Sequence, residues 1–189
     1  MSRERAQQIL KELNKRQEEN RLNYYQPYEF QKRFHKAGID ANQRLLMAAN
    51  RVGKSYVGAM EMAAHLTGLY PKWWKGKKFD KPIKAWVCGA SNETTRDICQ
   101  KELFGQPDNP RDKGKGSVPK HLIGETTRKP GVPNAHSSVL VKHSSGGWSR
   151  VAFKAYEMGA EKFMGESIDL VWLDEEPPQD IYSQCVTRT

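Results

Sequence analysis

The chain has 189 residues, enough for one domain of ordinary size that buries a core without disulfides. Its 31 Lys and Arg against 22 Asp and Glu give a formal net charge of +9, which favours a polyanionic partner such as nucleic acid. Three cysteines lie far apart without a Cys-x-x-Cys motif, which excludes a disulfide scaffold and a cysteine-rich zinc site.

Hydropathy gives no indication of a membrane protein. No apolar run reaches the roughly 20 residues that cross a bilayer. The N-terminus carries charged and polar residues where a secretory signal has its apolar core. We therefore expect a protein of the cytoplasm.

The first half of the chain predicts helices on either side of one strand. Residues 4–22 have the pattern of a charged surface helix or docking arm, so we predict a helical arm over 1–23 and one α/β domain over 24–189. The remaining elements expected here are a helix over 29–37, a buried strand over 44–49 and a helix over 54–69.

The second half predicts further strands. We expect a lysine-rich loop over 71–84, a buried strand over 84–89, a helix over 94–104, a β-hairpin over 138–154 and a third buried strand over 168–173. Residues 105–135 show no periodicity, which predicts a mobile functional loop or a small insertion.

The strongest chemical motif is Gly53-Lys54-Ser55, between the predicted strand 44–49 and the predicted helix. A phosphate-binding loop needs a tight turn with inward N–H groups, a Lys for the β- and γ-phosphates and a hydroxyl for Mg²⁺. The first glycine of the usual pattern is replaced by Ala48, which excludes a positive φ at that position.

A second motif ends the last predicted strand, where Asp174 and Glu175 follow Leu173. Carboxylates at the carboxyl end of a buried parallel strand lie at the ligand crevice of an α/β sheet. This is the Walker B pattern, with Asp174 placed to hold Mg²⁺ and Glu175 to polarise the attacking water. Together, the two motifs predict an ATPase that uses ATP and Mg²⁺. The five His show no metal-ligand spacing.

These segments resemble the large terminase subunit of tailed bacteriophages. The resemblance runs from about Tyr25 to Pro178 and is most specific in KAYEMGAEKFMGESIDLVWLDEEPP, residues 154–178. It implies a P-loop NTPase fold of the RecA-like (ASCE) type, with a mainly parallel central sheet flanked by helices. It also implies a motor that couples ATP hydrolysis to translocation of double-stranded DNA into the procapsid.

The resemblance also implies roles for single residues. Phe30 and Gln31 match the family's adenine-binding motif, with Gln31 reading the adenine edge. Arg51 would stabilise charge at the γ-phosphate, together with Lys54. Ser55 and Asp174 would hold Mg²⁺. The catalytic residues would be Glu175, Lys54 and Arg51. The full set of nucleotide-binding residues that the resemblance implies is Phe30, Gln31, Ala49, Asn50, Arg51, Val52, Gly53, Lys54 and Ser55.

The partners implied are double-stranded DNA, a small terminase subunit, the portal protein of the procapsid and further copies in a ring, in the cytoplasm of the infected host. The family's nuclease domain would follow residue 189, so we expect the chain to be the ATPase portion without nuclease activity and its sheet to be incomplete. Two alternatives stay open: a helicase-like DNA-dependent ATPase, and a fragment that binds nucleic acid or a partner without hydrolysis.

Basic residues are the candidates for DNA contacts. They are the lysines of loop 71–84 and Arg111, Lys113, Lys115, Lys120, Arg128 and Lys129. Trp73 and Trp74 either stack on bases or pack beneath their loop. In a ring, one arginine would contact the γ-phosphate of ATP that is bound to the neighbouring subunit. The candidates are Arg96, Arg111, Arg128 and Arg150.

Overall fold

The structure, a computed structural model, describes residues 3–49 and 51–189. Its helices are α1 (Arg3–Glu19), α2 (Arg21–Tyr24), α3 (Glu29–Ala37), α4 (Lys54–Thr67), α5 (Asn92–Thr94), α6 (Lys101–Phe104) and α7 (Gln179–Val186), with a π-helical stretch (Thr95–Gln100) that joins α5 to α6. Its strands are β1 (Lys84–Gly89), β2 (Ile123–Arg128), β3 (His136–Lys142), β4 (Trp148–Ala155) and β5 (Leu170–Leu173).

The strands form a five-stranded sheet in the order β2-β3-β4-β1-β5. Strand β1 is parallel to β4 on one side and to the edge strand β5 on the other. The meander β2-β3-β4 extends the sheet with antiparallel pairs. Because parallel strands end at the same edge, the carboxyl ends of β1, β4 and β5 lie together, and this edge is where a parallel α/β sheet binds ligands.

The structure confirms most of the predicted elements, but the predicted strand over 44–49 is wrong. No described strand pairs with these residues, and a strand exists only through pairing with a neighbour. Leu45 and Met47 are 81% and 82% exposed, so the apolar run is not buried either. The prediction assumed that an apolar run is buried in a sheet. Such burial depends on a neighbouring strand, and no described strand lies beside this run.

Residues 105–135 also depart from the expectation, because β2 lies within them. Its sequence, IGETTR, is mostly polar and half-exposed, so it carries little apolar periodicity. Helix α7 follows the Pro177-Pro178 pair and was not predicted. Helix α1 has no buried residue, and its apolar residues Ile9, Leu10 and Leu13 are exposed.

Helix α4 is the buried centre of one face of the sheet. All its residues from Ala59 to Thr67 are buried, including the charged Glu61 and His65. A helix that is apolar on nearly every side belongs in a core. Trp73 and Trp74 pack in the same cluster and donate their indole N–H groups to backbone carbonyls, which confirms packing beneath the loop over base stacking.

The buried Glu61 carboxylate joins three segments. It accepts hydrogen bonds from His35 Nδ1 of α3 at 2.8 Å and from His65 Nε2 at 3.4 Å. The guanidinium of Arg44, in the segment before α4, donates at 2.5 Å to Oε1, the oxygen that also accepts from His65. Burial by itself would raise the pKa of Glu61, but these hydrogen bonds and the Arg44 charge hold that pKa well below its ordinary value.

We predict that Glu61→Gln lowers the free energy of unfolding at pH 7 by about 3–5 kcal/mol, because it leaves a buried guanidinium without its counter-charge. Since the folded-state pKa is depressed, the stabilisation is present above the ordinary carboxylate pKa and is lost as the pH falls below it. Urea unfolding between pH 7 and pH 3 measures both effects, and the acid-side loss should be smaller in the variant.

The matched control is Glu166→Gln. Glu166 lies 3.4 Å from Lys84 and 3.6 Å from Arg150 at the surface, where an ion pair contributes at most about 1 kcal/mol. Equal losses in the two variants would contradict the role assigned to the Glu61 cluster.

Candidate functional site

The predicted phosphate loop, residues 49–55, lies at the N-terminus of α4. Gly53 caps this helix with a φ of 84°, in the left-handed region that only glycine adopts without strain. Arg51 also has a positive φ, 64°, and is exposed. Ala48 is not among the positive-φ residues, so the missing first glycine costs this turn nothing. Asn50 lies outside the described residues.

Lys54 begins α4, and its side chain turns back over the loop. Its Nζ donates to the carbonyl oxygens of Ala48 at 2.9 Å and of Ala49 at 3.0 Å. The ammonium group is therefore held over the loop that leads into α4, and the positive end of the helix dipole there favours an anion. Ala49 and Val52 are exposed at the rim of this loop.

The two motifs predicted from sequence meet in the fold. Ser55 Oγ donates to Asp174 Oδ1 at 3.2 Å, although the two residues are 119 positions apart. The buried thiol of Cys99, in the π-helical stretch, also lies near this carboxylate and lowers its pKa. Single π-helical turns frequently occur at functional sites.

The electrostatics of Asp174 fit a divalent cation. Burial raises the pKa of this carboxyl, the hydrogen bond from Ser55 opposes the shift, and the Glu175 carboxylate adds to it. A half-buried carboxylate without a full counter-charge beside a serine hydroxyl is a donor set that suits Mg²⁺, which takes one or two protein oxygens together with phosphates. Among the described residues no group of three or more His, Cys, Asp or Glu side chains gathers as a metal site.

Glu175 has a strained backbone. Its φ of 64° lies in the left-handed region, which is unusual for a residue with a side chain and is found preferentially at functional sites. Its side chain and that of Glu176 are exposed. The buried hydroxyl of Tyr156 contacts the carbonyl oxygens of Asp174 at 2.9 Å and of Glu175 at 3.4 Å. Sequence reasoning assigned no role to Tyr156.

The predicted adenine-binding pair lies next to the loop. Gln31 is buried, and its Oε1 accepts from the Tyr28 N–H at 2.9 Å and the Tyr25 hydroxyl at 3.3 Å. Its Nε2 lies 3.6 Å from the position that a Cβ on Gly53 would take. The amide nitrogen is therefore the group that Gln31 presents towards the loop. Phe30 is half-buried, and its ring stacks on that of Tyr28.

Gly58 was missed by the sequence reasoning, although an isolated glycine within a helical pattern is a signal for close packing. It lies three residues after Ser55, on the same face of α4. A Cβ at Gly58 would come within 2.6 Å of the indole of Trp172 on β5. The absence of a side chain therefore lets α4 approach β5, and this approach places Ser55 beside Asp174.

The structure divides the predicted basic residues into two groups. Lys115 is paired with Glu18 and Asp112, and Lys129 points inward to the carbonyl oxygen of Phe153 at 3.4 Å. Lys84 of the lysine-rich loop lies 3.4 Å from Glu166. The remaining predicted residues are exposed and form no ion pair with any described residue: Lys72, Lys75, Lys77, Lys78, Lys81, Arg111, Lys113, Lys120 and Arg128.

The arginines considered for a neighbour's phosphate divide in the same way. Arg96 is bound to Asp97 and to the carbonyl oxygen of Pro133, and Arg150 lies 3.6 Å from Glu166. Arg111 and Arg128 are exposed. In the described part of the chain, no helix is long and apolar enough to span a membrane.

A protein-family model described as "Terminase large subunit, T4likevirus-type, N-terminal" matches residues 45–189, which contain all of the phosphate loop and the Asp174-Glu175 pair. The chain belongs to the terminase large subunit family. The resemblance predicted from the motifs is thereby confirmed.

Two relatives show how much of a large terminase subunit this chain matches. The large terminase subunit of Salmonella phage P22 is 38% identical over 199 residues, which cover 96% of this chain and 40% of that protein. The solved ATPase domain of the Thermus phage P74-26 large terminase is 17% identical with a TM-score of 0.57, over 89% of this chain and 63% of that one. The second similarity confirms the α/β fold. The terminase chain spans well under half the length of its P22 relative.

We predict that Gly58→Ala destabilises the terminase chain by about 1–3 kcal/mol, because the added methyl group overpacks the contact with Trp172. The sign is informative, since Ala at a helix position without such a contact would stabilise by about 1 kcal/mol. Chemical denaturation measures the difference.

The control is the double variant Gly58→Ala/Trp172→Phe, in which the smaller ring leaves room for the methyl group. The two substitutions should be less destabilising together than the sum of the single changes. Additive losses would show that Gly58 and Trp172 do not form the contact that limits the approach of α4.

Proposed function

We propose that this chain is the ATP-hydrolysing motor portion of a viral DNA-packaging terminase. It would couple ATP hydrolysis to translocation of double-stranded DNA into a procapsid in the host cytoplasm. The observation that supports this most is the hydrogen bond from Ser55 to Asp174, which joins the end of the phosphate loop to the end of β5. Membership of the terminase family favours this function over a helicase-like ATPase.

Different residues of the chain would bind different parts of ATP. The N–H groups at the N-terminus of α4 would hold the phosphate oxygens. Lys54 would exchange its bonds to the carbonyls of Ala48 and Ala49 for the β- and γ-phosphates, and Arg51 would add a second positive charge at the γ-phosphate. Gln31 would contact the adenine edge through its amide nitrogen.

Ser55 and Asp174 are the residues that would hold Mg²⁺. When bound, the ion would neutralise charge on the phosphate oxygens and bring a counter-charge to the half-buried Asp174. The buried thiol of Cys99 lies near Asp174 and would limit the directions in which that carboxylate can turn.

Glu175 is the group that would act on water. Its carboxylate would accept a hydrogen bond from the attacking water and orient the lone pair of the oxygen towards the γ-phosphorus. The bond that breaks joins the γ-phosphorus to the β–γ bridging oxygen, and ADP and phosphate are the products. Lys54 and Arg51 would stabilise the charge that develops in the transition state.

We predict that Glu175→Gln keeps ATP binding but lowers turnover by about 100-fold or more, because the amide is a far weaker base at the same position. Lys54→Ala should instead weaken both nucleotide binding and turnover. Phosphate release and binding of a fluorescent ATP analogue, measured on the same folded preparations, separate the two effects.

Glu176→Gln is the matched control, since Glu176 is the next carboxylate along the chain and is equally exposed. It should hydrolyse ATP at the wild-type rate. Wild-type turnover in Glu175→Gln would contradict the role of Glu175. A folded wild-type chain that neither binds nor hydrolyses ATP would contradict the proposed function.

Duplex DNA is the partner we propose for the exposed basic residues. Arg128 and Lys113 line one cleft of about 250 Å³ between β2 and the turn that follows α6. Non-specific contacts to DNA phosphates release counter-ions and therefore weaken steeply with salt. The small terminase subunit, the portal and further copies of the chain are the other partners we propose, as in the family generally.

We expect Lys113→Ala/Arg128→Ala to weaken duplex binding and to reduce the slope of log affinity against log salt concentration by about 2, one unit for each lost phosphate contact. Fluorescence anisotropy over a salt series measures the slope. Lys115→Ala is the control and should leave it unchanged, because Lys115 is paired with Glu18 and Asp112. An unchanged slope in the double variant would place the DNA contacts elsewhere.

A further inference from the structure

The hydroxyl of Tyr156 is directed at the turn that carries the proposed catalytic carboxylate. It lies 2.9 Å from the carbonyl oxygen of Asp174, and 3.4 Å from the carbonyl oxygens of Cys88 and Glu175. A phenol has one proton to donate, and the shortest of the three contacts is the one to Asp174. All three contacts of the hydroxyl are with backbone carbonyl oxygens.

The contact between Tyr156 and Asp174 lies directly after the last residue of β5. The Asp174 N–H donates to the Cys88 carbonyl oxygen at 2.8 Å and continues the β1–β5 ladder by one bond beyond Leu173. The Asp174 carbonyl oxygen accepts from the Tyr156 hydroxyl instead of from a strand. The Tyr156 side chain therefore supplies the hydrogen bond for the first carbonyl group that no neighbouring strand pairs.

Tyr156 is itself held firmly. It follows directly on β4, and the next residue, Glu157, donates its N–H to the Ala90 carbonyl oxygen and accepts two hydrogen bonds from Asn92 through Oε1. Its ring is 8% exposed and packs in a cluster with Trp86, Phe163 and Ile181. The hydroxyl is thus fixed relative to the carboxyl ends of all three parallel strands.

The turn needs such support because its backbone is strained. Glu175 has a φ of 64°, a conformation that a residue with a side chain keeps only where the surroundings enforce it. The hydrogen bond to the Asp174 carbonyl oxygen holds the peptide group that precedes Glu175. The turn therefore cannot relax by rotation of that peptide group. Relaxation would swing the Glu175 carboxylate away from the direction that the fold sets.

We propose that Tyr156 is a positioning residue that fixes the Asp174–Glu175 turn and so orients the Glu175 carboxylate for hydrolysis. This inference rests on the ATPase function proposed above. It concerns the rate of the chemical step and not nucleotide binding, because Tyr156 contacts none of the groups assigned to the phosphates or the adenine.

The test is Tyr156→Phe in the 189-residue chain, which removes the hydroxyl and keeps the ring in its packing. We expect kcat for ATP hydrolysis to fall about tenfold, since small losses of alignment cost that much or more. The KM for ATP and the affinity for a fluorescent ATP analogue should stay within about twofold of wild type, because uniform binding is untouched.

Tyr70→Phe is the matched control. The Tyr70 hydroxyl accepts from the Phe79 N–H at 2.7 Å and pairs with His65 Nδ1 at 3.0 Å, beyond the C-terminal end of α4. This variant also removes a phenol hydroxyl that is hydrogen-bonded within the fold, so we expect both variants to lower the melting temperature by a few degrees. The kcat of Tyr70→Phe should stay at the wild-type value.

Amide hydrogen exchange supplies a readout that needs no turnover. Tyr156→Phe should speed exchange in the segment 174–176 and leave the exchange of α4 and β4 unchanged, whereas a general loss of structure would speed all three. Unchanged exchange at 174–176, unchanged kcat in an active preparation, or an equal fall of kcat in Tyr70→Phe would overturn the proposal. Failure of the wild-type chain to hydrolyse ATP would instead overturn the proposed function, and the exchange measurement would still decide the role of Tyr156.

Discussion

Helix α4 approaches strand β5 only as closely as Gly58 and Trp172 allow. A methyl group at Gly58 would overlap the indole ring, so the packing distance is set by the absence of a side chain. Ser55 precedes Gly58 by one turn of the same helix, and its hydroxyl therefore meets Asp174 at the end of β5. The phosphate loop and the carboxylates form one site because two rigid elements are packed at this short distance.

The buried charge of Glu61 fixes the other side of the same helix. Its hydrogen bonds to His35 and Arg44 join α4 to α3 and to the segment that leads into the phosphate loop. Helix α3 also carries Gln31, whose amide is oriented by the Tyr25 hydroxyl, a group that also contacts His35. The elements around the proposed nucleotide site are thus held by one connected set of polar contacts, in which the loss of a single partner is costly.

Left-handed backbone occurs where chemistry is proposed, although Asn134, in the turn before β3, also has a positive φ. Two of the non-glycine residues with positive φ, Arg51 and Glu175, lie in the phosphate loop and directly after Asp174. A left-handed φ at such positions persists only where neighbouring contacts enforce it. At Glu175 the contact that we propose comes from Tyr156, whose hydroxyl binds the carbonyl oxygen of the preceding residue, Asp174.

The sequence by itself determined the two motifs, their order, the helix after the phosphate loop and the family, because these follow from local spacing. It did not predict the half-exposed β2 or the lack of pairing at 44–49, since pairing depends on neighbours that are remote in the chain. Only the tertiary structure decided which basic residues are neutralised, that Gly58 sets the approach of α4, and that Tyr156 reaches the Asp174 carbonyl. These are contacts between segments far apart in the chain, and local patterns contain no information about such distances.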